Sequence, residues 1–180
     1  FDNNDLGIIF ETNYYSFSGN TSYRILNPTK TFNSFNTNIN FYTQFQKETS
    51  KIQSNQINLN INSNTKKNHY VGFGLEYRPL ENYNYYEPRT DGRYSIDPKR
   101  YGSWLSISTN YNNKFAIDIN PSIAILDEHK RMSYGFYVGP RYRFNDHLAL
   151  YYDFNFFRQN NNKGYVDNSS QNEMLPDNTI

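Results

Sequence analysis

The sequence contains no cysteine, no long apolar run and almost no net charge, and each absence excludes a class of protein. Without cysteine, neither disulfides nor thiolate metal sites are available. The mean hydropathy of −0.91 leaves no stretch of about 18 apolar residues, so a helical membrane protein is excluded. A net charge of +1, with 18 basic residues scattered among 17 acidic ones, argues against nucleic acid as a partner.

Aromatic residues, in contrast, make up 18% of the chain. Disordered chains of such polarity are poor in aromatics, so an ordered structure is expected. The segment FNTNINFYTQFQ, residues 35–46, places Phe, Thr and Ile at odd positions, and amides with one Tyr at even positions. Successive side chains of a strand point to opposite faces, so this period of two predicts a strand with one apolar and one amide-rich face.

The same alternation predicts eight strands, at residues 12–25, 31–47, 51–63, 69–78, 101–111, 115–126, 132–143 and 148–158. Each run is about ten to seventeen residues, longer than the five or six typical of soluble sheets and long enough to cross a bilayer when tilted. The odd-numbered strands are followed by short turns such as 112–114. The two longest connections, 79–100 and 159–180, both follow even-numbered strands.

Short turns at one end and long loops at the other are typical of outer-membrane barrels, whose long loops are external. The predicted fold is therefore all-β: an antiparallel up-and-down transmembrane β-barrel, here as an eight-stranded segment of a larger barrel. Residues 1–180 form one segment of a single barrel domain in this interpretation. The open alternative is a soluble barrel or sandwich, which also alternates but has a dry inner face and shorter strands.

The loop at 80–100 is the most distinctive irregular segment. Its aromatic and charged side chains predict a ligand-binding or plug loop, or else a loop packed on itself in which Arg pairs with nearby carboxylates. We favour the self-packed loop. The candidate residues are Tyr85, Tyr86, Glu87, Arg89, Asp91, Arg93 and Tyr94.

Charged residues at inward-facing positions suggest either a charged, solute-selecting lumen or cross-strand pairs that hold the barrel interior together. We favour the pairs. The residues are Glu76, Arg78, Asp118, Arg141, Arg143 and Asp153.

Neither a metal site nor a catalytic site is predicted, and no cofactor is expected. His69, His129 and His147 do not have the spacing of a metal site, and no Ser or Cys nucleophile lies in a recognisable elbow. No catalytic activity is expected in this segment. Tyr101, Tyr111 and Tyr165, at strand ends, instead predict an interfacial aromatic girdle.

Five segments in order resemble one known family: NNDLGIIF at 3–10, YYEPRTDGRY at 85–94, STNYNNKFAID at 108–118, PRYRFNDHLAL at 140–150 and GYVDN at 164–168. The chain resembles the C-terminal outer-membrane β-barrel region, a domain of unknown function, of Bacteroidota proteins that carry an N-terminal family-nine-like carbohydrate-binding domain. The resemblance implies further strands after Ile180 and a sugar-binding-like domain that this chain lacks. It supplies no catalytic residues, although members are often labelled hydrolases.

We therefore expect a protein of the bacterial cell outer membrane with a transport, scaffold or subunit role in a larger assembly. The expected partners are the lipid bilayer, other outer-membrane proteins or surface lipoproteins, and glycan. The competing hypothesis is a surface carbohydrate-binding or carbohydrate-processing protein that uses the 80–100 loop.

Overall fold

The computed structural model describes residues 13–85 and 93–163, and this part of the chain is built from strands without a helix. The strands are β1 Tyr14–Ile25, β2 Phe32–Gln46, β3 Ile52–Thr65, β4 Tyr70–Arg78, β5 Asn82–Asn84, β6 Ser95–Asp97, β7 Arg100–Ser108, β8 Phe115–Leu126, β9 Met132–Arg143, β10 Ala149–Tyr151 and β11 Phe154–Asn160. Within the described ranges, no helix is present that could cross a membrane.

Nine of the strands form one antiparallel sheet in the order β1-β2-β3-β4-β7-β8-β9-β10, with β11 also paired to β9. Strands β5 and β6 form a separate two-stranded sheet within the loop predicted at 79–100. The predicted all-β antiparallel class is confirmed. The large sheet is not closed in the part of the chain described, because β1 does not pair with β10 or β11. Barrel closure and membrane insertion stay predictions.

Two elements differ in detail from the sequence prediction. The segment predicted as one strand at 148–158 is divided into β10 and β11, although both keep the same register against β9. The division falls opposite Pro140, whose carbonyl accepts from the Tyr152 amide at 3.1 Å but which has no N–H to return a bond. Strand β7 ends at Ser108, because the Asn110 side chain accepts from the Asn112 amide and forms a turn.

The register gives the sheet two chemically different faces. One, here called the apolar face, carries rows in which Ile39 pairs with Leu59, Leu59 with Leu75, and Phe73 with Leu105. The other, the polar face, carries rows in which Asn38 pairs with Asn60 and Asn40 with Asn58. The alternation read from the sequence thus continues from strand to strand in register.

The described part of the chain has no hydrophobic core. Its buried apolar residues are Ala116 and Ala124, and none of its large side chains is fully buried. The apolar face is open instead: Phe17 is 61% exposed and Ile39 50%. Burying such a side chain contributes about 1.5–3 kcal/mol, so most of the stabilisation that this face could supply is not realised within the sheet itself.

Candidate functional site: the polar face

A lattice of asparagine side chains covers the polar face of β1, β2 and β3. Asn40 donates from Nδ2 to Asn58 Oδ1 at 2.6 Å and to Asn38 Oδ1 at 2.8 Å, and accepts from Asn20. Asn60 donates to Asn58 at 2.9 Å and to Asn38 at 3.0 Å. Amides both donate and accept, so a row of them satisfies itself without charge. The lattice makes this third of the face neutral and strongly polar.

A flat aromatic ring lies beside the lattice. Trp104 on β7 pairs with Gly74 on β4, and a Cβ added at Gly74 would lie 2.1 Å from the indole Nε1. A Cβ at Gly72 would lie 3.1 Å from Cζ3 of the same ring. The indole therefore lies down across the two glycines, which leave the space that it occupies. Its exposed fraction is still 36%.

Charged side chains follow the glycines toward the end of the sheet from which the long loops emerge. The Arg78 Nε lies 3.1 Å from Glu76 Oε1, and the Arg100 Nε lies 3.7 Å from the same oxygen. All three side chains are partly buried, at 25–34% exposure. Two cations thus share one carboxylate across β4 and β7.

A second charged group lies on β8 and β9, nearer the short turns. The Tyr111 hydroxyl donates to the Asp118 carboxylate, which raises the pKa of Tyr111. The Arg141 guanidinium lies 4.8 Å from the Tyr111 ring centre and 5.3 Å from that of Tyr151. Arg141 is therefore held between two aromatic rings by cation–π contacts.

Two further charges are held by single hydrogen bonds. The Tyr137 hydroxyl donates to Asp153 Oδ1 at 2.5 Å. Arg143 donates to the Asn112 carbonyl at 3.0 Å and so fastens β9 to the 109–114 turn. Both bonds tie a charged side chain to a neighbouring element.

The six predicted lumen residues thus fall into separate groups. Glu76 and Arg78 are brought together, Asp118 and Arg141 meet through Tyr111, and Asp153 and Arg143 are held elsewhere. Two features were not predicted from the sequence: Arg100 as the second cation beside Glu76, and the packing of the Trp104 ring on Gly72 and Gly74. The signal for that packing was the alternating glycines of β4.

The described part of the loop predicted as a ligand site gathers three tyrosines around Lys51. The Tyr94 ring centre lies 5.1 Å from that of Tyr83 and 5.4 Å from that of Tyr85. The Lys51 Nζ lies 4.1 Å from the Tyr94 ring centre and 4.6 Å from that of Tyr83. A hydrogen bond with Tyr94 raises the pKa of Lys51. Arg93 directly precedes this cluster, while Tyr86, Glu87, Arg89 and Asp91 lie outside the described residues.

One buried asparagine anchors the loop to the large sheet. Asn55 donates from Nδ2 to the Leu80 carbonyl at 2.9 Å and accepts from the Leu80 amide at 3.1 Å. It also donates to Asn82, and both asparagines are almost fully buried. Since Asn55 pairs with Thr43 in an apolar-face row, the anchor lies on the apolar side of the sheet.

The turn between β8 and β9 holds a compact ion cluster. Glu128 accepts from Arg131 at 2.9 Å and from Lys163, which follows β11. Burial alone would raise the pKa of Glu128, but the hydrogen bonds from Lys163 and Arg131 and their charges lower it overall. The cluster fastens the chain after β11 to this turn.

In residues 13–85 and 93–163, no group of three or more His, Asp or Glu side chains is placed to hold a metal ion.

The tyrosines predicted to form an interfacial girdle lie in different places. Tyr101 is on the apolar face beside Tyr77, with ring centres 5.0 Å apart, and Tyr111 bonds to the polar face. Tyr165 lies outside the described residues.

Comparison with known protein families gives a match over the whole chain. Residues 1–180 match a family described as "Domain of unknown function (DUF5916)". No curated protein and no solved structure matches the chain. The family match agrees with the resemblance to a region without an assigned function. The Bacteroidota source and the N-terminal sugar-binding-like domain stay predictions.

Proposed function

The chain belongs to this family of unknown function, and we propose that it forms part of the wall of a transmembrane β-barrel in the bacterial outer membrane. Its role is then transport, scaffolding or a subunit function in a larger outer-membrane assembly. One observation carries the proposal: in residues 13–85 and 93–163, an open apolar face without a hydrophobic core lies back to back with a polar face of hydrogen-bonded amides. Hydrocarbon outside and a polar lumen inside are the environments that favour such a pair of faces.

Strand length supports the proposal. Strands β1, β8 and β9 each have 12 residues and β2 has 15. At about 3.3 Å per residue, 12 residues extend about 40 Å, and a tilt of about 40° leaves about 30 Å along the membrane normal. That exceeds the apolar band of about 25 Å typical of outer-membrane barrels.

The tyrosines of the apolar face also fit a membrane interface. Those that lie within strands of the large sheet are all within three positions of a strand end, whereas Phe, Ile and Leu lie in the middle of strands as well as at their ends. They are Tyr15, Tyr23, Tyr77, Tyr101, Tyr134 and Tyr142. A phenol places an apolar ring in the lipid and its hydroxyl among the headgroups, which accounts for aromatic girdles at both interfaces.

The proposal requires that the sheet be closed into a barrel by further strands. The outer edges of β1 and of β10 and β11 are unpaired among the described residues. Unpaired backbone groups are prohibitively unfavourable in hydrocarbon. In the membrane, further strands of the same polypeptide or of a neighbouring one must pair with both edges.

A second candidate function is glycan binding at the outer surface by the 80–100 loop. The cluster of Tyr83, Tyr85 and Tyr94 favours it, because aromatic rings stack on sugars. It predicts that Tyr85→Ala weakens glycan binding while the sheet stays folded. Unchanged binding isotherms for the variant would reject this function.

Single-cysteine labelling tests the membrane proposal directly, because the chain has no cysteine of its own. Phe17→Cys and Ser18→Cys are adjacent on β1 and lie on opposite faces. In outer-membrane preparations, a membrane-impermeant maleimide is expected to label Ser18→Cys and to spare Phe17→Cys until detergent is added. Glu81→Cys in the loop and Asn113→Cys in a short turn report orientation, and only the former should label in intact cells.

Two results would contradict the proposal. The first is recovery of the protein in the aqueous fraction without detergent. The second is equal labelling of Phe17→Cys and Ser18→Cys in membranes, since a sheet with both faces in water makes both thiols reactive.

A further inference from the structure

The polar face carries an aromatic platform that the barrel wall does not need. Trp104 lies across Gly72 and Gly74 near the middle of the sheet, and the Tyr70 hydroxyl also lies over Gly72. If the indole served only to fill space, a larger residue at Gly74 and a smaller one at position 104 would fill it as well. Instead the glycines let the ring lie flat, so that one side covers the backbone and the other stays open, with 36% of the residue exposed.

The residues around the platform are neutral. In register across the sheet, Asn38 pairs with Asn60, Asn60 with Gly74, Gly74 with Trp104, and Trp104 with Ser122. The nearest charged residue along β4 is Glu76, which lies outside this row and is paired with Arg78 and Arg100. A charged ligand would therefore find no counter-charge in the row of Trp104.

Two asparagines next to the platform retain free hydrogen-bonding capacity within the described part of the chain. Asn60 uses its Nδ2 for bonds to Asn38 and Asn58, so its Oδ1 can accept. Asn62 accepts at Oδ1 from the Tyr70 hydroxyl at 2.6 Å, so its Nδ2 can donate. The existing bonds fix both amides in orientation, which lowers the entropy lost when a ligand binds.

We propose that Trp104, Asn60 and Asn62 form a binding subsite for a neutral sugar residue on the polar face. The apolar side of a pyranose ring stacks on the indole, and its hydroxyl groups accept from Asn62 and donate to Asn60. The location of this subsite in a lumen rests on the proposed barrel, but the subsite itself depends only on the three side chains. It lies on the opposite face from the anchor of the 80–100 loop and is distinct from a glycan site there.

Trp104 is the one tryptophan of the chain, so its fluorescence reports on the subsite directly. The probes are maltohexaose and cellohexaose, α-linked and β-linked neutral hexamers, added to the purified protein in detergent micelles. At least one is expected to change the Trp104 emission saturably. By calorimetry, Trp104→Ala should lower the association constant at least tenfold and Asn62→Ala about fivefold, while Trp104→Phe retains part of the affinity.

Tyr42→Ala is the matched control. Tyr42 lies on the same face, on β2, and its exposed fraction of 36% equals that of Trp104. Its removal should change the association constant by less than twofold. Circular dichroism of each variant shows whether the sheet is intact, and Trp104→Phe keeps the test valid if Trp104→Ala does not fold.

Three results would overturn the inference: no saturable change with either hexamer, equal affinity of the wild type and Trp104→Ala, or tighter binding of an anionic oligogalacturonate than of both neutral hexamers. The cysteine labelling shows whether the barrel proposal holds, independently of whether the sugar subsite exists. Labelling on one face without sugar binding refutes the subsite alone, and sugar binding by a protein that stays in water refutes the barrel alone.

Discussion

An arginine in the middle of the apolar face should reveal what covers that face. Ile39 is the central residue of β2, seven positions from each end, and half of its surface is exposed. An apolar band of about 25 Å places the middle of a spanning strand about 12 Å from either edge of the band. An Arg side chain is shorter than this, so it could not bring its charge to the headgroups without distorting the bilayer.

The expected magnitude differs between lipid and water. If the face lies in hydrocarbon, Ile39→Arg should lower the free energy of unfolding by about 2–4 kcal/mol, the range for Arg at the midplane of a barrel. If the face lies in water, only the half of Ile39 that is covered is lost. At about 1.5–3 kcal/mol for full burial, this loss amounts to about 1 kcal/mol, and the Arg stem replaces part of it.

Ser22→Arg is the control for this experiment. Ser22 pairs with Asn38, next to Ile39, but lies on the polar face and is exposed. Its change should be within about 0.5 kcal/mol. Urea titrations in lipid vesicles, followed by Trp104 fluorescence, give both values. Equal effects of the two arginines, or a cost below about 1 kcal/mol for Ile39→Arg, would refute the assignment of this face to lipid.

Three further predictions concern the polar face and the β8–β9 turn. Gly74→Ala should lower the free energy of unfolding by about 1–3 kcal/mol and shift the Trp104 emission, because its Cβ would lie 2.1 Å from the indole. Gly102→Ala, whose Cβ would be 3.4 Å from its nearest neighbour, should change neither quantity in the same titration. Asn40→Ala should cost about 1–3 kcal/mol by urea titration, because it removes three hydrogen bonds. Asn20 loses its acceptor, whereas Asn38 and Asn58 still accept from Asn60. Since the folded-state pKa of Glu128 lies below its ordinary 4.5, its stabilising contribution is present above that value and is lost as the pH falls through the lowered pKa. NMR titration of the carboxyl group should show this, and Glu128→Gln should remove that part of the pH dependence of stability.

The sheet could be predicted from the sequence because its two faces differ in every strand. The alternation in residues 35–46 fixes which side chains share a face, and a slip of one residue would place Ile39 among the amides. The interruptions of the predicted strands follow from local chemistry that the two-residue alternation does not encode. Pro140 interrupts the ladder to the last strand because it lacks an N–H, and this effect appears only once its partner, Tyr152, is known.

Less of the candidate site could be predicted from the sequence, because its residues come together from strands that are far apart in the sequence. Glu76 and Arg100 lie at the two ends of the long connection between β4 and β7, so no local sequence pattern relates them. Trp104 was assigned to the polar face, but its role depends on Gly74 lying directly opposite. A glycine in a strand marks close approach of another group, and the identity of that group follows only from the register.

Stability and function are linked through the lack of a hydrophobic core in the part of the chain that the structure describes. A sheet whose described residues bury little beyond two alanines cannot draw its stability from its own apolar contacts. The polar face can hold its shape, because the asparagine lattice and the shared Glu76 carboxylate lock neighbouring strands together. Among the described residues, the apolar face has few such hydrogen bonds, chiefly those of the Asn55 anchor, so whatever covers the rest of it supplies the main hydrophobic stabilisation. The polar face can therefore keep an exposed indole and free amide groups, because the burial that stabilises the sheet takes place on its other side.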